Sequence, residues 1–290
     1  MKILLFGKNG QLGWELNQTL APLGELTSLS SKELDVKNLI ELKNVINTIK
    51  PNLIVNATAY TAVDRAEQEP EIAMQVNAYA PAVMAECAKK IGAVLIHYST
   101  DYVFDGEKKI PYIETDKTNP LNMYGQSKLE GEQSISQVGG VHVILRTSWV
   151  YSLRGDNFVT KILSWASQKE TLRIVTDQVG SPTWSKTLAD VTSKMIANSL
   201  PNVVEYFSDK SDIYHVGGLG SVSRFDFANE ILRLMPTGKY VTQNLLPALT
   251  SDFPTPARRP LFTPLDCSLF EKIFEIKLPK WEDSLQIALN

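Results

Sequence analysis

Four short, nearly unbroken apolar runs recur in the first half of the chain, at residues 3–6, 53–57, 93–98 and 141–146. Each is too short for a helix, and none alternates as a strand with one wet face does. Strands covered on both faces read this way, because helices shield both sides of a parallel sheet. A weaker strand reads at residues 26–29. Helical segments fill the intervals. Residues 12–21 are closed by Pro22 and Gly24. Asp35 is placed to cap a helix running to about Lys50, ahead of Pro51. Residues 71–91 read as one long helix ended by Gly92. Another runs from Leu121 or Asn122 to about Gln137. The alternation predicts an α/β fold, a doubly wound, Rossmann-like parallel sheet.

After Trp149 the rhythm changes. Helices are expected at 158–168, 188–198 and 224–234. A strand at 213–216 is placed to return to the main sheet, and a proline-rich stretch covers 253–264. The expected organisation is a dinucleotide-binding domain of residues 1–150 plus about 185–217. A smaller, discontinuous substrate domain would comprise about 151–184 and 218–290. A net charge of −3 gives no electrostatic footprint for nucleic acid or a membrane surface. Residues 1–7 read as a strand rather than a leader, and no apolar run is long enough to span a bilayer. Cys87 and Cys267 stand far apart without metal-ligand partners, as in a reduced, cytoplasmic protein.

Gly7, Gly10 and Gly13 sit at the first strand-to-helix junction. Such glycines allow a tight turn, backbone approach to a pyrophosphate and close helix packing. The following helix N-terminus then faces the phosphates with free N–H groups. After the second strand the chain reads Ser30-Ser31-Lys32, hydroxyl and cation where a ribose-binding carboxylate is usual. That favours a 2′-phosphate, hence NADPH, with NADH as the alternative. Asp35 and Val36 follow, placed beside the adenine.

Tyr124 and Lys128 are four residues apart, on one helix face. A neighbouring ammonium is expected to lower the phenol's pKa and make Tyr124 a general acid for a carbonyl oxygen. The lysine is also placed to hold the nicotinamide ribose. Thr100 ends a buried strand, on the side where open α/β sheets bind ligands, and can hydrogen-bond the same oxygen. A second Tyr-x-x-x-Lys, Tyr206 to Lys210, lies in a polar stretch expected to be an exposed loop. It lacks a hydroxyl-bearing strand end before it and reads as coincidence. His97, His142 and His215 fall within predicted strands without ligand spacing, so no metal site is expected from them.

These residues resemble the extended short-chain dehydrogenase/reductase family over nearly the whole chain. The likeness is carried by residues 4–13, Asn56 to Asp64, Tyr98-Ser99-Thr100-Asp101-Tyr102-Val103-Phe104, Pro120 to Gly125, Arg146-Thr147-Ser148-Trp149-Val150-Tyr151 and Pro254 to Pro260. Within the family it points to the branch that completes dTDP-rhamnose synthesis, a nucleotide-sugar step toward cell-surface polysaccharide. The resemblance implies hydride delivery from NADPH or NADH to C4 of dTDP-4-dehydro-β-L-rhamnose. Thr100, Tyr124 and Lys128 would be catalytic. Gly10, Gln11, Leu12, Asp35, Val36, Ala59, Tyr60, Thr61 and Tyr98 would line the cofactor site, and Thr100, Asp101 and Trp149 would contact the sugar. Arg258 and Arg259, stiffened by flanking prolines, suit the substrate pyrophosphate. Some relatives hold Mg²⁺ at a homodimer contact. Glu15 could contribute here, but Lys186 stands where another acid is expected, which argues against a metal-dependent dimer. The alternatives are a sugar-nucleotide epimerase or dehydratase of the same fold, or a non-catalytic cofactor-binding subunit. A dehydratase usually carries Glu after the Thr-Asp pair, where this chain has Tyr102.

Overall fold

The apolar runs pair edge to edge in the computed structural model, which describes residues 1–236, 238 and 240–290. Six strands form one sheet: β1 (Lys2–Phe6), β2 (Glu25–Leu29), β3 (Leu53–Asn56), β4 (Val94–Thr100), β5 (His142–Thr147) and β6 (Asp212–His215). Their order is β6-β5-β4-β3-β1-β2, and every pair is parallel. β1, β3, β4 and β5 are buried almost throughout. Ile3, Leu5, Leu53, Val55 and Ile96 face one core, while Leu4, Phe6, Ile54, Leu95 and Ile144 face another. The order reverses at β1, which has β2 on one side and β3 on the other. Ligands in open α/β sheets bind at such a switch point, beyond the carboxyl ends of the strands.

The principal helices are α1 (Gln11–Thr19), α2 (Leu39–Ile49), α3 (Ala80–Ile91), α4 (Met123–Val138), α5 (Phe158–Ala166), α6 (Ser185–Asn198), α7 (Arg224–Leu234) and α8 (Trp281–Leu289). α1 and α6 cover one face of the sheet. α2 and α3 cover the other with the far end of α4. A third core gathers Ile162 of α5, Phe227 and Ile231 of α7 and Leu285 of α8 around a parallel pair, Thr171–Val175 with Asn244–Ala248. Among the described residues no helix is long and apolar enough to cross a membrane.

Three local expectations need correction. The helix expected at 71–91 is interrupted: Pro70–Met74 leads into a π-type turn, Gln75–Tyr79, before α3. The wider turn faces Asn77 inward, where its amide brackets Tyr60 through both backbone groups and donates to the Ser127 hydroxyl. α2 is capped by Asn38, whose side chain accepts from Glu41 N, and not by Asp35, which accepts from Lys37 N. Tyr206 lies in a short helix, Val203–Ser208, not a loop; its ring carries the Lys210 ammonium at 4.2 Å, away from the sheet's carboxyl edge.

One buried ion pair ties the sheet to α4. Arg146 of β5 grips Glu132 with three hydrogen bonds of 2.7–3.2 Å, and both side chains are at most 3% exposed. Removing one partner leaves a lone buried charge. Glu132→Gln is expected to cost about 3–5 kcal/mol in denaturant unfolding, while a well-packed apolar replacement of both residues should cost less.

Candidate active site

The chain leaves β1 at Phe6 and turns at Gly7, whose φ of 91° suits glycine. A Cβ on Gly13 would stand 1.9 Å from Gly7 O, so α1 can lie this close to the turn only with glycine there. Gly10 is the N-cap of α1 and brings no side chain to its first N–H groups. Those groups remain available for an anion. A cavity of about 530 Å³ opens beside them, lined by Gly7, Gly10, Ser30, Asp35, Val36, Ala59 and Tyr60 among others. A glycine cradle, an uncapped helix start and a cavity at the switch point fit a dinucleotide. Leu12 packs against the sheet core instead.

The end of β2 differs from expectation. Ser30 is buried and donates both its N–H and its hydroxyl to Glu33, which also accepts from Lys8 Nζ at 2.7 Å. These bonds hold the Glu33 carboxyl down at about 2. Lys32 is exposed and does not line the cavity; Lys37 does.

A second cavity of about 360 Å³ lies next along the carboxyl edge, lined by Gln11, Thr61, Thr100, Asp101, Tyr124 and Trp149, among others. The neighbours Gly10 and Gln11, like Tyr60 and Thr61, each contribute one residue to either cavity. Thr100 ends β4, opposite Thr147 of β5, and its hydroxyl donates to Asp101 at 3.2 Å. Asp101 also accepts from Ser148 and Thr263, and burial raises its carboxyl above the ordinary range. The buried Ser99 and Thr147 hydroxyls line the same cavity and have no partner among the described residues, as suits a polar ligand.

Tyr124 stands in the first turn of α4, aimed by the Asn122 cap on Gly125 N. Gly125 packs so close to Tyr102 that a Cβ would come within 2.2 Å of its carbonyl. The two tyrosine rings meet edge to face at 5.7 Å. Burial raises the Tyr124 phenol above its ordinary value; Thr100 opposes that rise, and Asp101 and Tyr102 add to it. This corrects the expected acidification by lysine. Lys128, 1% exposed, directs its amine to the Tyr98 carbonyl at 2.6 Å and to His97 Nε2 at 3.1 Å. Burial pushes that amine down to about 8. Tyr98 meets Lys128 through its carbonyl only, since its phenol points away to Thr192.

Trp149 adopts a left-handed backbone, φ 47°, and its indole lies over Gly180, where a Cβ would fall 2.5 Å from the ring. The Arg224 guanidinium stacks on the indole at 3.4 Å from its centroid and faces Phe158 at 4.7 Å. Burial pushes Arg224 down to about 10, so it keeps its charge at neutral pH. Sequence reasoning missed this residue. One signal was present: an arginine at the first position of α7 opposes the helix dipole, an unfavourable placement unless something else holds it. Arg259 donates to Asp64 and the Tyr102 hydroxyl and reaches the 360 Å³ cavity. Arg258 lines only a separate cavity of about 520 Å³, formed with the proline-rich stretch. Lys186 pairs with Asp190, and no group of three or more His, Cys, Asp or Glu converges among the described residues.

The chain matches the family described as RmlD substrate binding domain over residues 1–290. It is 42% identical to a dTDP-4-dehydrorhamnose reductase of Burkholderia thailandensis, covering 100% of this chain and 98% of that protein. A dTDP-4-dehydrorhamnose reductase of Escherichia coli K12 is 40% identical, with 100% and 97% covered. Among solved structures, a dTDP-4-dehydrorhamnose reductase of Clostridium acetobutylicum superposes with a TM-score of 0.91 at 36% identity, covering 100% and 98%. The Bacillus anthracis enzyme of that name, in complex with NADP, gives 0.89 at 33% identity, covering 99% and 98%.

The raised Tyr124 phenol should keep its proton in ligand-free protein when ordinary tyrosines ionise near pH ~10. Tyrosine ¹³Cζ NMR across pH 7–11 reads this directly; ionisation of Tyr124 below pH 9 would contradict it.

Proposed function

The chain belongs to the RmlD substrate-binding-domain family, and from that premise we propose that it reduces the C4 ketone of dTDP-4-dehydro-β-L-rhamnose to dTDP-β-L-rhamnose with a nicotinamide cofactor. The observation that carries this reading is the placement of Thr100 and Tyr124 in one cavity directly beside the glycine-lined cavity. The full-length likeness to reductases of this activity supports it.

Gly7, Gly10 and the start of α1 would hold the cofactor's diphosphate, with Asp35, Val36, Ala59 and Tyr60 along its adenosine end. When bound, the reduced nicotinamide supplies the hydride. Tyr124 holds a proton at Oη and gives it to the carbonyl oxygen as that oxygen gains charge; a phenol raised by burial keeps this proton at neutral pH. The Thr100 hydroxyl holds the same oxygen. Lys128, beneath the site, would hold the cofactor ribose. Trp149, its indole stacked by Arg224, lines the cavity where the 6-deoxy sugar would lie, and Asp101 suits a sugar hydroxyl. Arg224 and Arg259 bring positive charge for the substrate pyrophosphate, and Arg258 joins them from the neighbouring cavity.

The cofactor cavity is assigned to residues 1–150 with about 185–217, and the substrate wall to about 151–184 and 218–290. The separate core around Phe227 supports that division, while Leu265, Phe270 and Phe274 of the second part pack into the core of the main sheet. NADPH is the preferred donor and NADH the alternative. Glu33 is tied to Lys8 and Ser30, while Lys37 and Ser31 line the cavity. Buried, unpaired Cys87 and Cys267 accord with a reducing, cytoplasmic setting.

Mixing protein, NADPH and dTDP-4-dehydrorhamnose should consume the reduced-nicotinamide absorbance. Tyr124→Phe should lower kcat by about 10²–10⁴-fold with little change in NADPH affinity. Equal rates for wild type and variant would refute the assigned acid. In a calorimetric comparison, Lys37→Ala should narrow the NADPH preference over NADH by about tenfold.

A further inference from the structure

Beneath the reducing site a chain of buried polar groups runs across β3 and β4 to α4. Asn56 Oδ1 faces Thr58, accepting from its backbone N–H at 3.0 Å and from its hydroxyl at 2.6 Å. Asn56 Nδ2 faces His97 Nδ1 at 3.0 Å. His97 Nε2 faces Lys128 Nζ at 3.1 Å, and the same amine donates to the Tyr98 carbonyl. Asn56, His97 and Lys128 are each at most 1% exposed.

Donor and acceptor accounting leaves one arrangement. A backbone N–H can only donate, so Thr58 N fixes the Asn56 oxygen on its own side. The Asn56 NH₂ is thereby turned to His97, and Nδ1 must accept. A neutral imidazole with an accepting Nδ1 carries its proton on Nε2. That N–H points at the lysine amine. An ammonium has no lone pair and would oppose it with a second set of protons. A neutral amine accepts from Nε2–H and still donates to Tyr98 O.

We propose that His97 is a positioning residue for the reducing site, its tautomer set by Asn56, and that in the ligand-free protein it donates Nε2–H to the uncharged form of the Lys128 amine and so disfavours the ammonium. The proposal rests on the reading that Lys128 belongs to that site. Burial keeps His97 itself uncharged, and it favours the neutral amine of Lys128 in the same way. The titratable groups beside Lys128 are Glu132, one turn further along its own helix, and His97 from β4; Tyr124 lies one turn before it. Glu132 favours the ammonium but is locked to Arg146 of β5. Once its amine has lost its charge, Lys128 no longer acidifies Tyr124, whose phenol is raised by burial.

The test reads protons in ligand-free protein and does not depend on turnover, so its failure is distinct from failure of the proposed reduction. Imidazole ¹⁵N spectra should show His97 with a bare Nδ1 and a protonated Nε2. His142 and His215 are internal contrasts, since each directs Nδ1 at a backbone carbonyl. Lysine ¹³Cε signals should show Lys128 titrating near 8, well below the ordinary ~10.4. In Asn56→Asp the carboxylate accepts from both Thr58 and His97, so the imidazole proton should move to Nδ1. Nε2 would then accept from Lys128, whose midpoint should rise by about one pH unit or more. A proton on Nδ1 of His97 in wild type, a Lys128 still charged at pH 10, or an unchanged tautomer in Asn56→Asp would each overturn the proposal.

Discussion

Burial of β1, β3, β4 and β5 on both faces governs everything else in this molecule. Water reaches neither side of these strands, so each polar side chain they carry must find a partner inside or emerge at the carboxyl edge. Asn56, His97 and Arg146 take the first course, bonded to Thr58, Lys128 and Glu132. Thr100 and Thr147 take the second, side by side where β4 and β5 end. The switch in strand order at β1 sets the glycine turn on the same edge. Cofactor cavity and hydroxyl cluster are therefore neighbours through sheet topology, not through closeness in sequence.

The same dry interior sets the electrostatics. Burial raises the acids Tyr124 and Asp101 and lowers the bases Lys128 and His97, in each case favouring the neutral form. A phenol kept protonated in such a site suits proton donation to an oxygen that gains charge during reaction. The positive charge lining this cavity comes from Arg224 and Arg259. Arg224 stacks its plane on Trp149, a placement that suits a guanidinium, which is more weakly hydrated than an ammonium.

Much of the frame was legible in the chain. Unbroken apolar runs announce strands shielded on both faces, and the glycine triad and the capped helix bearing Tyr124 and Lys128 follow from local rules. Local rules also misled. Asp35 and Asn38 are both good caps, and only the packing of Leu42 and Ile46 decides which one opens α2. The break at Gln75–Tyr79 has no sequence mark apart from a nearby proline, because it is driven by Asn77 reaching Tyr60 and Ser127 across a gap in sequence. Arg224 lies 75 residues beyond Trp149, and periodicity says nothing about such a meeting.

What the sequence determined alone is the set of elements and the chemistry available: period, caps and glycines act within a few residues, and residue type decides which protons exist. Tertiary structure decided where those protons sit. How readily Lys128 sheds its charge depends on its burial and on an imidazole from β4, whose tautomer depends on an amide from β3, whose orientation depends on one backbone N–H. Hydrogen bonds are directional and the interior is dry, so that choice is made only when the three elements meet.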